Sequence, residues 1–130
     1  MIKKIIVIDD DQELCEEIAE ILIEQSYKVS TFSDPLSGLD SLISNDYDLL
    51  LLDLKMPKVS GVKILKYIKD RDVKLPVFVF TGNPLNVDMI EEGGDFLSNQ
   101  YQIIESADGV INKPFNIPEL LSRIQQILNK

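Results

Sequence analysis

The 130-residue sequence has no histidine and a single cysteine. Without histidine, Ser-His-Asp and Cys-His catalysis and every histidine-ligated metal site are excluded. The lone Cys15 cannot form an internal disulfide, so a reducing, cytoplasmic setting is expected. Long apolar runs are also missing. The longest are four residues, as in Leu49–Leu52, against the ~20 that a membrane-spanning helix needs. Positive charge is scarce, with 13 Lys and Arg against 22 Asp and Glu and a net charge of −9. That balance disfavours direct binding to nucleic acid, whose phosphates are held mainly by clustered Lys and Arg, and docking on an anionic membrane. Met1-Ile2-Lys3-Lys4 leads straight into an apolar run, so no secretory leader is expected.

Apolar residues at 45% and charged residues at 27% are ordinary globular usage and fit one domain over residues 1–130. Five strand-like runs alternate with helical patterns. The first, Ile5-Ile6-Val7-Ile8, is apolar on both faces, as a buried parallel strand is. Asp11 can cap a helix with Leu14, Ile18, Ile21 and Leu22 inward. Tyr27–Phe32 reads as a second strand, and Asp34-Pro35 opens a helix expected to turn Leu36, Leu39 and Ile43 inward. Leu49–Leu52 is the third strand, followed by a turn over Pro57–Gly61 and a helix capped by Ser60 with Ile64, Leu65 and Ile68 inside. Val77–Phe80 is the fourth strand. A helical pattern over Phe96–Glu105 precedes a short fifth strand, Gly109–Ile111. Asn116 and Glu119 have capping-box spacing ahead of a stripe of Leu120, Leu121, Ile124, Ile127 and Leu128. This is a doubly wound (βα)5 α/β pattern: a parallel five-stranded sheet covered on both faces as a three-layer sandwich.

Ligands of open parallel sheets bind outside the carboxyl ends of the strands. Those ends carry Asp9, Asp10 and Asp11 on the first strand, Asp53 on the third, Thr81 on the fourth and Lys113 on the fifth. A nucleotide fold would place glycines and free N–H groups at the first loop. Carboxylates there repel an anion unless a hard divalent cation joins them, and Mg2+ suits that role. Asp53 is then placed as a nucleophile toward a phosphoryl group. Lys113 can neutralise the transferred oxygens, and the Thr81 hydroxyl can bond one of them. Any phosphohistidine donor must be another molecule. Taken singly, each residue has an ordinary structural explanation: Asp53 as a turn cap, Thr81 as a strand residue, Lys113 as a solvated loop lysine, Asp11 as a helix cap and Cys15 as packing. Their coincidence on four strand ends is specific.

Those residues resemble the receiver domain of bacterial two-component response regulators. The matching segments are Ile6-Val7-Ile8-Asp9-Asp10-Asp11, Leu51-Leu52-Asp53-Leu54-Lys55-Met56-Pro57 with Gly61, Phe80-Thr81-Gly82, and Ala107-Asp108-Gly109 through Lys113-Pro114-Phe115. The resemblance implies a chemotaxis-regulator-like fold with flavodoxin-like strand order 2-1-3-4-5. It makes Asp53 the phosphorylation site and has Asp10 bind Mg2+ directly. Asp9 would bind it largely through water, and the Lys55 backbone carbonyl would be a further metal ligand. Thr81 becomes the switch hydroxyl and Lys113 the phosphate-contacting lysine, with a cis peptide at Lys113-Pro114. Implied partners are a histidine kinase or histidine phosphotransfer protein as donor, then an effector protein or domain, or a second copy through self-association. The output would be a shift in the face around the helix before the fifth strand and that strand itself.

Two departures from the family pattern stand out. Val110 occupies the position, three before the lysine, where an aromatic switch residue is usual. Thr81 and Lys113 lie farther apart than expected, with the surplus assigned to Asn83–Asp95 and its Gly93-Gly94 pair, which suggest a mobile loop beside the site. Lys55, two residues past Asp53, is expected to hinder water and prolong the phosphorylated state. A haloacid-dehalogenase-like phosphatase would need an acid at that position, and a flavodoxin cofactor would be repelled by the acidic first loop. The domain is therefore expected to be a phosphoacceptor rather than an enzyme. A phosphorylation-independent pseudo-receiver interaction module remains the alternative.

Overall fold

In the computed structural model of the chain, residues 2–56, 60–71, 73–81 and 105–129 are described. Five strands form one parallel sheet: β1 (Lys4–Ile8), β2 (Lys28–Phe32), β3 (Leu49–Asp53), β4 (Val77–Thr81) and β5 (Gly109–Asn112). Their order is β2-β1-β3-β4-β5, which confirms the doubly wound, flavodoxin-like reading. In the centre, Ile5–Ile8 on β1 pairs in register with Leu49–Leu52 on β3. All eight side chains are fully buried, because helices cover both faces.

Four described helices supply that cover: α1 (Gln12–Glu24), α2 (Pro35–Ser44), α3 (Gly61–Asp70) and α4 (Ile117–Leu128). Each start has its side-chain cap. Asp11 accepts from the Leu14 amide, Asp34 from Ser37, Ser60 from Lys63 and Asn116 from Glu119, each satisfying an N–H that the first turn leaves without a helical partner. On one face, Cys15, Ile18 and Leu22 of α1 and Leu120, Ile124 and Leu128 of α4 pack against Ile5, Val7, Leu49 and Leu51. On the other, Ile64, Leu65 and Ile68 of α3 pack against Ile6, Ile8, Leu50 and Leu52, with Leu39 and Leu42 of α2 half-buried alongside.

One expectation fails on α2. Leu36 and Ile43 are exposed, at 50% and 60%, and the buried residues are Pro35 and Gly38. The inward stripe is Pro35, Gly38, Leu39 and Leu42, still at helical spacing. A Cβ on Gly38 would lie 2.7 Å from Ile8 Cδ1, so the helix rests on β1 through its smallest residue. Glycine and proline, and not the largest apolar side chains, mark the buried side of this helix. On α1, Ile21 is only half-buried, at the flank of the packed stripe. The expected turn residues 57–59, the Asn83–Asp95 surplus and nearly all of the Phe96–Glu105 helix lie outside the described residues.

Candidate functional site

The rim is built where apolar strands end. Asp9 follows β1 directly, and Asp53 is the last residue of β3. Because β1 and β3 are neighbours in register, their following carboxyl groups share one place. Lys113 follows β5, and its amide donates to the Thr81 carbonyl at 2.8 Å, which ties β5 to the end of β4. The Lys113–Pro114 peptide is cis, as the resemblance implied.

Asp9 is fully buried, and Asp53 is 5% exposed. Asp9 is the better satisfied of the two. Its Oδ2 accepts from Lys113 Nζ at 2.8 Å, and its Oδ1 from the Asp11 amide at 2.9 Å. The Cys15 thiol donates to its carbonyl oxygen at 3.2 Å. Asp53 Oδ1 accepts from the Lys55 amide at 3.2 Å and stands 3.8 Å from Lys113 Nζ. The site lysine is therefore held chiefly by Asp9 and only faces Asp53.

The electrostatics follow from this arrangement. Asp53 is pushed up to about 7, first by burial and next by the Asp9 charge, while Lys113 and the Lys55 amide pull the other way. Burial by itself lowers Lys113; the hydrogen bond to Asp9 and the charges of Asp53, Asp9 and Asp11 outweigh it and hold the ammonium above its ordinary value. Burial, reinforced by the neighbouring Asp9 charge, raises the Cys15 thiol to about 11, so at neutral pH it is a packed donor and not a thiolate.

Carboxylate oxygens of Asp9, Asp10 and Asp53 all lie within 4.8 Å of one another. Three hard oxygen donors, one of them on the exposed Asp10, fit Mg2+, which takes few carboxylates and keeps several waters. Thr81 ends β4 half-buried at the same rim, in register with Asn112. Lys55 meets Asp53 through its backbone N–H, while its side chain is exposed. Phe80 stacks on Phe115 with ring centroids 5.5 Å apart, and Lys113 Nζ lies 5.7 Å from the Phe80 ring, so the ammonium has an aromatic neighbour.

Three supports were not assigned a role from the sequence. Gly61 is required because a Cβ there would come within 2.0 Å of the Asp53 carbonyl oxygen. Its amide donates to Leu54 O at 3.1 Å, which closes the loop after Asp53. Arg123 of α4 donates to the Val110 carbonyl at 2.7 Å and fastens the edge strand that leads to Lys113. Gly109 leaves room for that guanidinium, 2.5 Å from where a Cβ would sit. The capping position of Gly61 was readable after Ser60, but its contact with Asp53 depends on how two segments meet.

Fold and rim together are those of a phosphorylation-activated signalling domain. Residues 5–125 match the response regulator receiver domain model, and the chain belongs to that family. Response regulator ArlR of Staphylococcus aureus is 33% identical over 127 residues, covering 98% of this chain and 53% of that protein. The chain thus spans about half the length of the curated relatives it matches. Among solved structures, response regulator TrrA from Thermotoga maritima, in complex with Mg2+ and BeF, superposes with a TM-score of 0.78 at 27% identity, covering 98% of this chain and all of that one. A CheY-like receiver domain protein from Methanospirillum hungatei gives a TM-score of 0.83 at 24% identity over 99% and 95% of the two chains and shares the fold. No described helix is long and apolar enough to cross a membrane.

Proposed function

We propose that residues 1–130 act as one cytoplasmic receiver domain whose Asp53 accepts a phosphoryl group from the phosphohistidine of a partner kinase or phosphotransfer protein, and that the modified domain changes its affinity for an effector or for another copy. The observation that carries this reading is the placement of Asp53 beside Lys113 within a three-carboxylate cluster. In the step itself, an Asp53 carboxylate oxygen attacks phosphorus, the P–N bond to the donor imidazole breaks, and that imidazole nitrogen keeps the electron pair and is protonated from water. Asp9, Asp10 and Asp53, with the Lys55 carbonyl, would hold Mg2+, whose charge would offset that of the phosphoryl oxygens. Lys113, already directed into the rim by Asp9, can turn its ammonium to a phosphoryl oxygen. The Thr81 hydroxyl supplies a second donor, and its movement transmits the change. Because Val110 stands where an aromatic partner is usual, transmission runs through the β4–β5 backbone link at Thr81 and Lys113. The Mg2+ and BeF complex of TrrA supports the same reading by likeness.

Incubation with Mg2+ and a small acyl phosphate donor should add ~80 Da, one phosphoryl group, to the wild type and nothing to Asp53→Asn. No gain in the wild type would instead favour a phosphorylation-independent interaction module. Lys55→Ala should lose the phosphoryl group faster; an unchanged rate removes the shielding role of Lys55.

A further inference from the structure

Charge is divided within this chain by helix. Between Asp9 and Glu24 there are eight acidic residues and no basic one, whereas between Lys55 and Lys74 seven basic residues face two acidic ones. Glu13, Glu16, Glu17, Glu20 and Glu24 of α1 are exposed, as are Lys63, Lys66 and Lys69 of α3 with Arg71 and Lys74 beyond it. Like charges a turn apart on a helix cost a few tenths of a kcal/mol per pair, and both helices bear that cost.

Each charged surface ends in apolar material. At the end of α1, Ile23 is 57% exposed beside Glu20 and Glu24. Where α2 and α3 end, a groove of about 450 Å3 has Leu42, Ile68 and Leu75 as its floor. Ile43 and Val73 stand exposed at its lip, at 60% and 45%. Arg71 and Lys74 line it, with Asp46 as the opposing charge, and the Arg71 guanidinium lies 3.6 Å over the Tyr67 ring. A guanidinium over an aromatic face is attracted to the ring and still carries hydrogen-bond donors for a carboxylate.

Both features lie at the same end of the molecule. α1 leads into the start of β2, α2 into β3 and α3 into β4, so all three helices finish where the strands begin, opposite the Asp53 rim. α1 packs on one face of the sheet and α3 on the other. A two-fold axis across that end therefore lets each copy place its acidic, isoleucine-tipped α1 end on the cationic groove of its partner, forming both contacts at once. We propose that the groove between the ends of α2 and α3 is a docking surface for a second copy of this chain, entered by Ile23 with Glu20 and Glu24 opposite Arg71 and Lys74. This surface is separate from the phosphorylation rim and does not depend on it.

Sedimentation of the full chain from about 5 to 500 µM at 0.15 M salt tests the pairing. The wild type should move from 14.7 kDa toward twice that mass. Glu20→Lys with Glu24→Lys, Arg71→Glu with Lys74→Glu, and Ile23→Ser should each weaken association at least about tenfold. An equimolar mixture of the two charge-reversed variants should associate again, because each then offers what the other lacks. Helical circular dichroism confirms that every variant is folded. A wild type that stays monomeric throughout overturns the proposal. So does association that survives reversal of α1, or a mixture of reversed variants that stays monomeric.

Discussion

The middles of β1 and β3 and their carboxyl ends are one residue apart and obey different rules. Ile5–Ile8 and Leu49–Leu52 are fully buried; their burial is favourable, needs no partner and aims nothing in particular. The next side chains, Asp9 and Asp53, are nearly as buried, and there burial opposes the charge. Among the described residues, Asp9 is compensated by a 2.8 Å ion pair and a backbone N–H, whereas Asp53 accepts from the Lys55 amide and faces the lysine at 3.8 Å. The same removal of water that stabilises Leu52 raises Asp53 to about 7. A rim of this kind gives up stability where a buried carboxylate stands under-compensated.

Five substitutions, at Leu51, Lys113, Asp9, Asp53 and Leu36, separate these regimes. The largest effect belongs to the interior: Leu51→Ala should cost about 3 kcal/mol in urea unfolding, with the same loss at pH 5 and pH 8. Next, Lys113→Met should cost about 2 kcal/mol by leaving Asp9 buried without its cation, and the double variant with Asp9→Asn should recover most of it; equal losses in the single and double variants would show that the pair contributes nothing. Asp53→Asn should instead stabilise the magnesium-free protein, by about 2 kcal/mol at pH 8. The folded pKa lies above the unfolded value of 3.8, so folding takes up a proton between them. The Asp53 contribution is most favourable below about pH 4 and declines as pH rises through about 7, so the advantage of the Asn variant should vanish in acid. An advantage that is flat with pH would contradict the buried-charge account. The smallest effect, within about 0.5 kcal/mol, is expected for Leu36→Ala, since that side chain is exposed.

Why some of this could be read in advance is visible in particular residues. Ile5–Ile8, Leu49–Leu52 and Val77–Phe80 announce buried parallel strands because covering a sheet on both faces leaves no polar side. The strand-end rule then gathers Asp9, Asp10, Asp53, Thr81 and Lys113 onto one rim before any distance is known. The rotation of α2 was not readable, since Gly38 against Ile8 is a contact between segments thirty residues apart. For the same reason, Gly61 beneath Asp53, Arg123 on Val110 and the Cys15 thiol on Asp9 emerged only from packing.

The order of residue types along the chain determined the alternation of strands and helices, their caps and the inventory of charges at the rim, because each depends on near neighbours and on a period of two or 3.6. Only the tertiary structure decided that Lys113 binds Asp9 more closely than Asp53, that Asp53 is left poised near neutrality, and that α2 turns its leucine at 36 to water. Those outcomes depend on distances between distant segments, and in a low-dielectric interior the difference between 2.8 and 3.8 Å changes which carboxylate the lysine serves.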